Sequence, residues 1–271
     1  MEAQRAHLIV GGFPLGSHAG HDMEYARLRL LGLLSDRSDV YATVSGDYAD
    51  LARWLPAAQL LITYVAGPYP NDEQNEVLRA WIEAGGRWLA MHGSSGGRAA
   101  RSKEGPRRMV KAGYHETLGG FFINHPPTRK FRVDVTDGEH GVTRGLPASF
   151  EVVDEPYMVE LQAPETTRVL LTAELGPDTS PPGFGFAYDA DTALLADGKT
   201  RVIAYTRELG RGGVTYIALG HCHSALSRNR TRVDASVNAE GRSPAVLRGP
   251  WETKAYEQLL RNAIAWGIGA D

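Results

Sequence analysis

The sequence predicts an α/β fold: a mainly parallel sheet with helices on both faces and long covering loops. Three observations predict it. Over the first 92 residues, short apolar runs alternate with stretches of helical periodicity. Two apolar runs, 87–91 and 214–219, stop at a histidine among small residues, Met91-His92-Gly93 and Leu219-Gly220-His221. Long polar stretches at 98–113, 176–198 and 224–250 have no periodicity, and loops of that length are usually functional or disordered.

Residues 7–10 form a short apolar run before Gly11-Gly12, which reads as a buried first strand. The polar loop 13–22 carries His18 and His21. From Asp22, a suitable N-cap, Met23, Ala26, Leu30, Leu33 and Leu34 recur at helical spacing. A second strand is expected at 39–44, a short helix at 47–54 and a third strand at 59–65. Asn71-Asp72-Glu73 opens a helix whose apolar face is Val77, Leu78, Trp81 and Ile82, and Gly85-Gly86 ends it. The fourth strand, 87–91, delivers His92. Strand–helix alternation at this spacing predicts βαβ crossovers, and up to His92 the pattern is flavodoxin-like.

The middle is less regular. Segment 98–113 is basic and is placed over the site; 115–127 includes Phe121, Phe122 and His125-Pro126-Pro127. Strands are expected at 131–135, 151–154, 168–172 and 201–206. Gly210–Gly213 forms a tight turn into the strand that ends at His221. A final amphipathic helix spans 251–266 with Tyr256, Leu259, Leu260, Ala263 and Trp266 on its apolar side. No internal repeat or linker interrupts the chain, so 1–271 reads as a single domain.

Composition narrows the function. With 42% hydrophobic and 23% charged residues in 271, the chain has the balance of a globular protein. A net charge of -3 argues against nucleic acid as the main partner. Arginines cluster at Arg98, Arg101, Arg107 and Arg108 and at Arg228, Arg230 and Arg232; solvated loops are the first reading, anion or subunit pairing the second. One cysteine, Cys222, excludes an internal disulfide and fits a reducing compartment. No run approaches a membrane span, and 1–7 lacks the apolar core of a signal peptide, so a cytoplasmic location is expected.

In an open α/β sheet the carboxyl edge of the strands binds ligands. His92 and His221 at two such ends beside glycines point to a site, although either alone reads better as a core histidine. Around them, His21-Asp22 precedes the first helix. Leu118-Gly119-Gly120-Phe121-Phe122, His125-Pro126, Asp154-Glu155-Pro156-Tyr157, Gly210-Arg211-Gly212 and Asn262-Ala263-Ile264-Ala265-Trp266 follow in order. Taken with 85–93 and 219–221, these segments resemble the ThuA-like (trehalose utilisation) family, of class I glutamine amidotransferase-like fold, over nearly the whole chain. Two departures stand out: His140-Gly141 where relatives often carry His-Pro, and Cys222-His223-Ser224 after His221.

The resemblance implies a carbohydrate role, with a sugar or its keto derivative as the small-molecule partner. It also places His92 at the elbow where amidotransferases keep a nucleophilic cysteine, so cysteine-dependent glutaminase chemistry is not expected. Two chemistries stay open. In the first, His92, His125 and His221 ligate zinc or another divalent metal; His221 and His223, two apart, can face one side of an extended segment. In the second, His92, Glu155 and His221 perform metal-free acid–base catalysis in hydrolysis, elimination or isomerisation. His21, Asp22, Ser94, Tyr157 and His223 are the candidate substrate contacts. Ser94 and Ser95 read equally as capping residues, Asp154 and Glu155 as ion-pair partners, and Tyr69, Tyr157 and Trp251 as packing or sugar-stacking groups. A non-catalytic sugar-binding or regulatory module is the competing class, and a homodimer is compatible with the exposed aromatic and basic loops.

Overall fold

In a computed structural model the described residues are 3–101, 105–227 and 232–269; Arg228 and Arg230 of the second arginine cluster lie outside them. The chain starts with β1 (Gln4–Gly12), which feeds α1 (Met23–Ser35). Asp22 caps α1, its carboxylate accepting from the Tyr25 N–H at 3.1 Å. β2 (Val40–Ser45) is followed by the single turn α2 (Leu51–Trp54), which starts later than the sequence pattern indicates because Asp47 first forms a turn, its carboxylate accepting from the Ala49 N–H at 2.8 Å. β3 (Leu60–Ala66) leads to α3 (Asp72–Glu83). Asn71 and Gln74 form a reciprocal capping box at its start. β4 (Arg87–Met91) then ends at His92.

β2, β1, β3 and β4 lie side by side and parallel, with β13 (Gly212–Ile217) as the fifth parallel neighbour. This is the doubly wound order in which the connections reverse between β1 and β3. Both sheet faces are covered here. Leu8, Val10, Ile62 and Leu89 pack with α1 and α5 (Lys254–Gly267), while Ile9, Leu61, Trp88 and Ala90 pack with α2, α3 and α4 (Tyr114–Leu118). Burial on both sides explains why these strands read as continuous apolar runs.

The sheet continues beyond β13 in the other sense. β12 (Thr200–Leu209), β11 (Thr167–Glu174), β8 (Arg129–Val135) and β9 (Ser149–Asp154) follow in that order, each antiparallel to its neighbour. The expectation of a mainly parallel sheet is therefore corrected: only the half from β2 to β13 is parallel. Gly210-Arg211 joins β12 to β13 as a two-residue turn, Gly210 with φ +63°, and so short a link allows only antiparallel pairing.

Two hairpins stand outside the main sheet. β5 (Arg98–Arg101) pairs with β6 (Arg107–Val110), giving order to a segment expected as a loop, and β7 (Gly120–Asn124) pairs with β10 (Met158–Leu161). The last helix starts at Lys254, not 251; Thr253 caps it, and Trp251 is buried in the preceding turn with its indole N–H on the Gly220 carbonyl at 2.7 Å. That burial removes Trp251 as a sugar-stacking group. Among the described residues no helix is long and apolar enough to cross a membrane.

Candidate active site

The carboxyl edge of the parallel strands carries a buried cluster. His21 arrives in the loop after β1, beside the switch point, His92 ends β4, and His221 lies past β13. Glu155 comes from the antiparallel half. The segment after β9 is drawn back over the edge because the Asp154 carboxylate accepts from the Gly220 N–H at 2.7 Å and the His221 N–H at 3.0 Å. The four side chains offer ligand atoms that all lie within 4.8 Å of one another, a set that could hold a metal ion.

His92 is held by its backbone as much as by its ring. Its φ of +45° places it in the left-handed region, a conformation that L-residues adopt under constraint at sharp strand-to-helix elbows. The Tyr216 hydroxyl donates to the His92 carbonyl at 2.9 Å and meets Ser95 Oγ at 2.7 Å, fixing the turn from beneath. Gly93 is required next to it, since a Cβ there would come 2.4 Å from the Val65 carbonyl oxygen. The Tyr157 ring stacks on the imidazole with centroids 4.1 Å apart.

Hydrogen bonds away from the centre set the tautomers. His92 Nδ1–H donates to the Ala218 carbonyl at 2.8 Å and His21 Nδ1–H to the Ala19 carbonyl at 3.1 Å. His223 Nε2–H donates to the Pro244 carbonyl at 2.8 Å, leaving its Nδ1 to accept from His221 Nε2–H at 3.0 Å. Each of the three cluster imidazoles therefore turns a lone pair inward. His92 Nε2 faces His21 Nε2 at 3.1 Å and Glu155 Oε2 at 3.5 Å, and His221 Nδ1 faces the same oxygen at 3.3 Å.

Such a convergence of acceptors attracts positive charge. Burial opposes ionisation of Glu155, but the neighbouring His125 and His221, with His92 facing it as well, hold its carboxyl well below the usual range. Burial likewise works against a charged His92, yet the facing Glu155 and the Asp154 charge outweigh it and raise its pKa, so a proton and a metal cation compete for the same inward Nε2. His21 is driven well below the ordinary imidazole value by burial and by His92 and His221, and His221 is lowered mainly by burial. Burial pushes Asp154 up to about 7 against the pull of His92 and of backbone N–H groups.

His21, Glu155 and His221 floor a cavity of about 1020 Å³, with His92 buried behind them, and its wall includes Tyr69, Phe122, His125, Tyr157, Phe186 and Arg107. His125, expected among the ligands, stays outside the four: its Nδ1–H is spent on the Pro126 carbonyl, and its Nε2 is 3.9 Å from Glu155 Oε1. His21, expected as a substrate contact, joins the cluster instead. The other expected contacts divide. Tyr157 lines the cavity. Ser94 is buried with its hydroxyl on Thr63, Asp22 caps α1 and pairs with Arg248 at 2.6 Å, and His223 supports His221 from behind. Cys222 is buried, and burial pushes its thiol up to about 12, the opposite of an activated nucleophile.

Comparison with solved structures gives the fold independently of sequence. A structure described as a ThuA-like protein from Bacteroides uniformis aligns over 100% of this chain and 94% of its own, with TM-score 0.62 at 19% identity. Another so described, from Parabacteroides merdae, aligns over 99% and 91% with TM-score 0.57, also at 19% identity. A cold-adapted β-galactosidase from Rahnella sp. R3 matches 100% of this chain with 32% of its own length, TM-score 0.56 and 13% identity. At these identities the likeness is one of fold. The search of curated proteins finds no significant match. The family model described as trehalose utilisation matches residues 13–233, a span running from the loop that carries His21 to beyond His223, and the chain belongs to that family, ThuA.

Proposed function

We propose that this protein is an enzyme acting on a sugar or keto-sugar, and that His21, His92, His221 and Glu155 hold a divalent metal ion at the floor of its cleft. The observation that carries the reading is the inward set of three imidazole lone pairs and one carboxylate, buried together with their outer nitrogens already committed. Three nitrogens and one oxygen favour zinc. Imidazoles fixed from behind by carbonyl groups or by a second imidazole are the usual outer shell of such a site. A bound ion there would act as a Lewis acid on a carbonyl or hydroxyl oxygen and lower the pKa of bound water.

The chain's own groups do the rest. His125 lines the cavity with its Nδ1 anchored, so its Nε2 is the nitrogen available to move a proton on the substrate. Removing hydrogen from a carbon next to a keto group is within reach of an imidazole base, and elimination or isomerisation can start from that step. Tyr157 keeps the His92 ring in place, and Phe122 and Phe186 offer apolar faces to a sugar ring while excluding water. The trehalose-utilisation family supports a carbohydrate substrate.

Turnover of a panel of 3-keto glycosides, with added Zn²⁺, Mn²⁺ or EDTA, tests the proposal. EDTA is expected to abolish turnover, and His125→Ala to lower kcat by about a hundredfold or more. Turnover that survives both EDTA and the His92→Ala, His221→Ala pair would sink it.

A further inference from the structure

One wall of the cleft is cationic in a way that a neutral sugar does not use. The β5–β6 hairpin sets Ala99 opposite Met109 and Arg101 opposite Arg107, so these four share one face. Ala99, Met109 and Arg107 line the cavity, and Arg98, at the base of the hairpin, lines it too; Arg101 does not line it and stands across the hairpin from Arg107. The Arg107 guanidinium lies 4.6 Å from the Phe186 ring centroid, and a guanidinium stacked on an aromatic face keeps its N–H edge for an acceptor in its own plane.

Nearby cations are neutralised: Arg108 pairs with Asp189 at 2.9 Å and Lys111 with Glu160 at 2.5 Å. Among the described residues Arg98, Arg101 and Arg107 have no acidic or hydrogen-bonding partner for their side chains, although the chain as a whole carries -3. Like charges set directly opposite each other on paired strands repel, and an anion placed between them removes the repulsion.

We propose that the Arg101–Arg107 pair, with Arg98, binds an anionic substituent of the sugar, so that the cleft selects carboxylated or phosphorylated sugars over neutral ones. The proposal rests on the reading of the cavity as a sugar site. It makes the hairpin a specificity element lying on the same cavity as the buried cluster.

Calorimetric titration of the full chain with glucose, glucuronate and glucose 6-phosphate, at low and raised salt, tests it. Glucuronate or glucose 6-phosphate is expected to bind at least about tenfold tighter than glucose at low salt, a gap that narrows as salt rises. Which of the two wins separates a carboxylate from a phosphate group. In Arg101→Ala/Arg107→Ala, with both substitutions on an exposed hairpin, that preference should collapse. Equal binding of all three probes, or a preference that persists in the double variant, overturns the anion assignment and leaves the sugar reading standing. No binding of any probe overturns both.

Discussion

His223 shows how much of the site's chemistry is set one residue away from it. It is buried, it is held by the Pro244 carbonyl, and it fixes His221 with Nδ1 turned toward Glu155. Removing such a partner typically weakens metal binding ten- to a hundredfold. His223→Ala is therefore expected to weaken zinc affinity by about that factor, measured by competition with a chromogenic chelator. An unchanged affinity would reduce His223 to packing. The sequence pointed to His92, His221 and Glu155, because strand-end histidines and a carboxylate after a strand are visible in one dimension. It names His125 among the metal candidates and His21 among the substrate contacts, whereas the structure groups His21 with His92, His221 and Glu155. His21 and His125 both follow strands, and only the sheet order reveals that β1 lies next to β3 and one strand from β4, whereas His125 extends from the outlying β7.

Among the elements, β1 carries a testable pH dependence far from the cluster. His7 is buried against the edge strand, bonded through Nδ1 to Thr43 Oγ1 at 2.7 Å and stacked on Trp54. Burial lowers its pKa from 6.5 to about 4, only partly opposed by Asp50. The unfolded chain takes up this proton near 6.5 and the folded chain only near 4, so the contribution is full above 6.5 and lost as pH falls from 6.5 toward 4. Urea midpoints across that window should fall less steeply for His7→Gln than for the wild type; parallel curves would contradict the assignment. Elements with local signals are legible: the Asp22 cap, the helix start at Asn71-Asp72-Glu73 and the apolar runs of β3 and β4 are each written in a few adjacent residues. The antiparallel half was less so. Its strands were seen, but their sense depended on the turn at Gly210-Arg211 and on the absence of helical pattern between 131 and 206, evidence that weighs against crossovers.

At the scale of the whole molecule, the site exists because the two halves of the sheet meet. The parallel half supplies His21, His92 and His221 at its carboxyl edge, and the antiparallel half returns Asp154 and Glu155 across that edge. Long loops then wall the cavity, and none of its aromatic or cationic residues lies close in sequence to all four clustered residues. That is why the sequence indicates the place more firmly than the membership of the cluster. This meeting point is the proposed metal site, and elemental analysis of the purified chain tests it directly. After loading with Zn²⁺ and exhaustive dialysis, the wild type should retain about one ion per chain, and His92→Ala and His221→Ala well below that. A folded wild type that retains no stoichiometric Zn²⁺ or Mn²⁺, or variants that retain as much as it does, would contradict the account.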